Sequence, residues 1–266
     1  MDIQFANTYD LLVTVLTFFF GHFLVLAGLA YGVVWWQCSE LFGHRRIQLR
    51  PRQARPWTEL QHSTISILIF ALLLCGLWAV SEAGFTRVYF VFAEHGVVYF
   101  VFSIVAMAVV HDTYYYFAHR FMHHPKVFRH VHKVHHSFSN PTPFASYAFH
   151  PLEALIEVAW IGPLVLIMPI HPAAFAIYVV ILTIFNVISH LGYEFYRPGV
   201  AKWCITSTHH NMHHAGSKGH YMLYFNLWDR LLGSNAVDYE ARIREINARP
   251  AAQPQVSDVE LVGAPT

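Results

Sequence analysis

Residues 11–36 read LLVTVLTFFFGHFLVLAGLAYGVVWW, an apolar run interrupted by a single histidine, His22. A helix rises 1.5 Å per residue, so this run is longer than the roughly 30 Å of a bilayer's hydrocarbon core. The stretch is therefore expected to span a membrane. It lacks the basic N-terminal region and the small-residue cleavage site of a secretory signal, so it is expected to stay with the chain as an anchor and not be removed.

Working outward, four more apolar runs follow: 63–80, 97–110 (with a start that could reach back into 88–93), 152–168 and 173–189. The last two flank Pro169-Ile-His-Pro172, a connection so short that they should lie antiparallel. Composition agrees, with 55% hydrophobic and 12% charged residues in a chain of 266, too apolar for an ordinary soluble domain. Lys and Arg concentrate in alternate connections. Arg45, Arg46, Arg50, Arg52 and Arg55 follow the first run, and Arg120, Lys126, Arg129 and Lys133 follow the third. The positive-inside rule then puts both connections in the cytoplasm and the N-terminus outside. The expected fold class is all-α, a multi-pass bundle of about five spans with a histidine-rich helical cap on the cytosolic side. A bacterial inner membrane or an endoplasmic reticulum would suit it. From Tyr239 the chain becomes polar and Pro-rich, and 239–266 is expected to be a disordered tail. The net charge of +1 gives no basic field for nucleic acid, and Cys38, Cys75 and Cys204 lack metal or disulfide spacing.

Histidine is the anomaly: there are 20, seven of them between His119 and His136. His119 and His123 stand at i and i+4, neighbours on one helical face. His132, His135 and His136 stand at i, i+3 and i+4, and His210, His213 and His214 repeat that spacing. Such a triplet can aim two imidazoles at one ion and the third at a neighbouring ion, which suits a dinuclear site. A lone histidine at a membrane surface is ordinary, but three clusters at helical spacing on one side of the membrane point to metal.

Other residues join the candidates. His190 ends the last run and is a further candidate ligand, with Glu194 four residues on as a carboxylate partner. His150, before Pro151 and Glu153, could be a ligand, a partner of a ligand or a helix-entry residue; the partner role is favoured. Asp112, seven residues before His119, could accept the free ring N–H of a ligand histidine and fix its tautomer. His124 and His209 adjoin the clusters but point elsewhere on a helix, and both are read as ordinary polar residues.

The run His111-Asp-Thr-Tyr-Tyr-Tyr-Phe-Ala-His119-Arg-Phe-Met-His123-His-Pro125 is followed by HKVHH, Asn140-Pro-Thr-Pro-Phe144 and Phe149-His-Pro151. Then come His190-Leu-Gly-Tyr-Glu194, Thr208-His-His-Asn-Met-His-His214 and Trp228-Asp-Arg-Leu-Leu-Gly233. In this order and spacing the chain resembles the fatty acid hydroxylase and sterol desaturase superfamily, most closely its sterol C5-desaturase branch. The resemblance implies membrane spans in 1–96, a catalytic domain over 97–238, and a cytosol-facing di-iron centre that activates O2 to hydroxylate or desaturate a lipid. By the same resemblance His119, His123, His132, His135, His136, His210, His213 and His214 are metal ligands, with His190 a further one. Some members carry histidine where Glu194 falls. His220-Tyr-Met222 departs from the Asn-Tyr-Gly of many relatives, which bears on substrate more than on metal.

Breaking an unactivated C–H bond calls for a redox metal. Imidazoles suit zinc as well as iron, so the spacing leaves the metal open and the resemblance favours iron. No GxGxxG fingerprint or haem-binding module accompanies the boxes, so electrons are expected from a separate cytochrome, ferredoxin or reductase. The lipid should arrive from the bilayer, past Tyr114–Phe117 and Phe144–Phe149. A histidine-rich metal transporter is the main alternative, although transport favours ligands near mid-membrane. A haem protein lacks a partner for His22, and a zinc peptidase lacks HExxH.

Overall fold

The computed structural model describes residues 7–49, 53–216 and 218–251. Among these no strand forms, only isolated bridges such as Val88 with Ile170. The helices are, in chain order, α1 (Thr8–Ala30), α2 (Pro56–Glu82), α3 (Gly96–Met122), α4 (Pro125–Phe128), α5 (Lys133–His136), α6 (Pro151–Val158), α7 (Ile161–Ile167), α8 (Pro172–Ser189), α9 (Ser207–Gly216), α10 (Leu227–Leu231) and α11 (Tyr239–Ala248). Of the arginine-rich connection, Arg50 and Arg52 lie outside the described residues, as does 252–266 of the tail.

Four helices are long and apolar enough to cross a membrane: Thr8–Gln37, in which α1 continues through a π-helical turn, then α2, α3 and α8. Asn7 starts the first by accepting the Asp10 N–H at 3.0 Å, and Pro56 and Pro172 sit in the first turns of α2 and α8, where no N–H is needed. The outward faces are as apolar as the inward ones. Along α3, Val98, Val101, Phe102, Val105 and Val109 are all exposed, a stripe that water would penalise and lipid would not.

The expected span 152–168 is not one helix. It breaks at Ala159-Trp160 into α6 and α7 because Pro163 has no N–H to offer the carbonyl one turn back. The pair still leads from Glu153, at the histidine end, to Ile170, whose carbonyl accepts the Tyr89 N–H at 3.2 Å at the opposite end. The expected disordered tail is also corrected in part. α11 buries Tyr239, Ile243 and Ile246, while Arg242 and Arg249 donate to the carbonyls of Ile47 (2.9 Å) and Arg46 (2.6 Å). Its apolar positions at i, i+4 and i+7 make one buried stripe in an otherwise charged segment.

Candidate metal centre

The C-terminal ends of α3 and α8 meet α5 and α9, and nine histidines converge there in two sets. The first holds His119, His123, His132, His136 and His213; the second holds His135, His190, His210 and His214. Within each set the ligand atoms all lie within 4.8 Å of one another. Neighbouring Nε2 atoms are closer still: 3.0 Å for His119 and His132, 3.1 Å for His136 with both His123 and His132, and 3.0 Å for His190 and His210. Two nitrogens bound at right angles to one ion, each about 2.1 Å from it, stand about 3.0 Å apart. Bare rings at this spacing would turn lone pair against lone pair; around a cation the same spacing is favourable.

Helical periodicity divides the sets as the triplet spacing predicts. On α5, His132 and His136 point to the first set while His135, between them, points to the second. On α9 the order inverts, with His210 and His214 in the second set and His213 in the first. Two short helices therefore contribute to both sets and hold them side by side.

What fixes the rings is their other nitrogen. Nδ1–H of His119 donates to the Tyr221 carbonyl (3.0 Å), that of His190 to Asn186 (2.8 Å) and that of His213 to Gly219 (2.6 Å), while His135 makes a longer contact with Ala148 (3.4 Å). His132 donates to the Glu153 carboxylate at 2.6 Å. In each case Nε2 is left to face the centre, the arrangement expected of histidine ligands. Burial, reinforced by neighbouring imidazoles, lowers the basicity of the rings, with His136 pushed down to about 3 and His190 to about 4 by burial first. His132, His135, His210, His213 and His214 also lie well below the usual histidine range. Neutral rings offer lone pairs to a cation without first losing a proton. An all-imidazole donor set suits iron or zinc.

The carboxylates are placed differently from expectation. Asp112 touches no ligand ring; its Oδ1 accepts the backbone N–H groups of Tyr224 (2.8 Å) and Leu223 (3.3 Å), tying down the segment whose Tyr221 carbonyl orients His119. Glu194 likewise faces backbone, accepting from Tyr196 (2.8 Å) and from Thr208 (3.0 Å) in the first turn of α9. His150 caps α6 through the Leu152 N–H at 3.2 Å, so the helix-entry role holds and not the ligand-partner role. His124 caps α4 in the same way, and His209 turns from both sets toward Asp229, 3.2 Å away. The residues missed by sequence reasoning are Glu153, three residues after His150, and Asp229. Asp229 accepts from Tyr221 and Met222 N–H (3.0 Å each) and from Ser234 (2.6 Å).

An apolar cavity lies beside the centre, with the Phe149 ring between them. Phe19, Phe70, Tyr147, Phe149 and Leu182 line it, and the Phe149 ring lies 5.1 Å from that of His135. Ile161 and Phe175 also line a second, almost wholly apolar cavity that reaches Leu11, Trp78 and Pro172 at the far end of the bundle. Of the aromatic stretches expected along the route, Tyr147 and Phe149 line it, whereas Phe117 is half-exposed on the outside.

Residues 104–234 match the fatty acid hydroxylase family. Human lathosterol oxidase is 33% identical over 185 residues, covering 68% of this chain and 58% of its own length. Rat lathosterol oxidase is 28% identical over 179 residues, 66% and 60% respectively. The Delta(7)-sterol 5(6)-desaturase ERG3 of Saccharomyces cerevisiae is 30% identical over 174 residues, 64% of this chain and 47% of its own. The chain thus spans about half to three fifths of the length of these relatives. No solved structure matches it significantly.

Proposed function

Residues 104–234 belong to the fatty acid hydroxylase family, and from that premise we propose that this protein is a membrane-bound non-haem di-iron oxidoreductase using O2 and externally supplied electrons to hydroxylate or desaturate a lipid. The observation that carries the reading is the convergence of two histidine sets beside an apolar cavity whose Phe149 touches His135. His119, His123, His132, His136 and His213 would hold one ion, and His135, His190, His210 and His214 the other. Bound there, iron would supply the redox chemistry needed to activate O2 toward a C–H bond, work no side chain can perform.

The chain's own contributions are positional. Phe149 and Tyr147 hold an apolar chain or ring against the second set and keep bulk water out. The carbonyls of Tyr221 and Gly219 and the Glu153 carboxylate fix which ring nitrogen faces the centre. The basic connections support a cytoplasmic histidine end, where a separate cytochrome, ferredoxin or reductase would supply electrons. The relatives' names point to a sterol as one candidate substrate and the family's name to a fatty acyl chain as another. A metal transporter is disfavoured because the ligands gather at one end of the bundle, with no second set along its length among the described residues.

Purified protein should carry two ions per chain by elemental analysis, and cells expressing it should gain a lipid species shifted by one oxygen or by minus two hydrogens. His135→Ala and His213→Ala should each lose that product while still inserting in the membrane. Full product formation by both variants would end the proposal.

A further inference from the structure

His111 is spent neither on the metal centre nor on helix capping. It sits on α3, 2% exposed, and lines the cavity whose Phe149 ring packs on His135. The ring is held on two sides. Its face stacks on Trp160 at 4.6 Å, and its Nδ1 pairs with the Tyr178 hydroxyl, which meets the Tyr224 hydroxyl at 2.9 Å. The other nitrogen, Nε2, is buried with no hydrogen-bond partner. A buried polar atom without a partner is costly, and one held rigidly in the wall of a cavity marks where a ligand's polar atom belongs. Glu157 lines the same cavity, whose other walls are overwhelmingly apolar.

We propose that this is a recognition site for the hydroxyl group of an otherwise apolar lipid alcohol, with His111 Nε2 as its hydrogen-bond partner and the apolar walls as the barrier to a carboxylate. The inference rests on the function proposed above and narrows its substrate class. A hydroxyl both donates and accepts, so it satisfies Nε2 whichever way the proton lies along Tyr224, Tyr178 and His111. A free fatty acid would bring a carboxylate charge into an apolar cavity with no Lys or Arg among its lining residues to compensate it. A hydrocarbon would leave Nε2 unpaired. His111 lies eight residues from His119, about 12 Å along the helix. The oxidised carbon should therefore stand several bonds from the carbon bearing the hydroxyl.

The test is equilibrium binding to the purified full-length protein in detergent, without O2 or reductant, so that a failure of oxidation cannot be mistaken for a failure of recognition. Two matched sets separate the sources of the hydroxyl: 5α-cholestan-3β-ol against 5α-cholestane, and octadecan-1-ol against octadecane and octadecanoate. At least one alcohol should bind about tenfold more tightly than its hydrocarbon, the worth of one buried hydrogen bond. Octadecanoate should gain nothing over octadecane. His111→Leu should erase the alcohol's advantage with metal content unchanged, and His111→Gln should restore part of it. If His111→Leu does not accumulate, His111→Phe, which keeps a flat ring against Trp160, provides an independent arm, since it too should erase the alcohol's advantage. Equal binding of alcohol and hydrocarbon by the wild type would mean Nε2 holds only a water and would overturn the proposal. So would an alcohol preference that survives His111→Leu or His111→Phe.

Discussion

Glu153 accepts a 2.6 Å hydrogen bond from Nδ1 of His132, and both side chains are buried, at 0% and 1% exposure. One residue from α6 thus sets the ring orientation of another that starts α5. Removing such a partner from a ligand histidine typically costs 10- to 100-fold in metal affinity or activity. Glu153→Ala should fall in that range, and Glu153→Gln, which still accepts a hydrogen bond, should lose less. Metal titration of the apoprotein followed by activity would check the order. Equal affinity in the wild type and Glu153→Ala would show that the contact does not govern the site.

Adjacent residues should empty different sets. His135→Ala and His214→Ala each remove a ligand from the second set, His136→Ala and His213→Ala from the first. Metal content should fall toward one ion per chain in all four, and combining His135→Ala with His214→Ala should add little to either alone. Combining His135→Ala with His136→Ala should remove both ions. Elemental analysis of the six proteins decides it, and a double variant at His135 and His136 that still holds one ion would contradict the division.

The spans and the split of the triplets were legible because each depends on a short period along one helix. Leu11–Trp36 is apolar whatever surrounds it, and His135 lies between His132 and His136 on any helix. The carboxylates were not legible for the opposite reason. Asp112 is seven residues before His119, yet its partners are the backbone N–H groups of Leu223 and Tyr224, more than a hundred residues on. No local spacing encodes that meeting. The break between α6 and α7 was written in Pro163, but hydropathy alone treats a proline inside an apolar run as part of the run.

Glu194 distinguishes an anchor from a ligand. It holds the Thr208 N–H at the start of α9, and α9 contributes to both sets. Glu194→Ala should therefore weaken both ions together, by about tenfold, and lower the melting temperature. Glu194→Gln should retain most of the binding, because an amide oxygen still accepts. Loss of a single ion in either variant would identify a direct ligand instead.

Asp229 draws together the loop that orients His119 and His213, accepting from Tyr221, Met222 and Ser234 and facing His209 at 3.2 Å. Both Asp229 and His209 are 0% exposed, so truncation strands buried N–H groups and an unpaired ring. Leaving a buried donor without its acceptor costs about 1 to 3 kcal/mol. Asp229→Ala should melt at least several degrees lower than wild type in the metal-free state, as well as binding metal less tightly. An unchanged melt would show that the loop is held by other contacts.

The metal-free protein should be acid-sensitive in a defined window. Above the ordinary histidine value of 6.5, the rings are neutral whether the chain is folded or unfolded, and pH has no leverage through them. Below it, unfolded rings take up protons that the buried rings refuse until about 4 at His190 and about 3 at His136. Unfolding therefore binds protons, and each such ring favours the unfolded chain by about 1.4 kcal/mol per pH unit across that interval. Chelator-treated protein should lose melting temperature steadily from pH 6.5 to 5 and hold it from 6.5 to 8. His136→Gln and His190→Gln should each flatten the slope in acid. A melting temperature that stays level between pH 7 and 5 would mean that the clustered rings take up their protons while the chain remains folded.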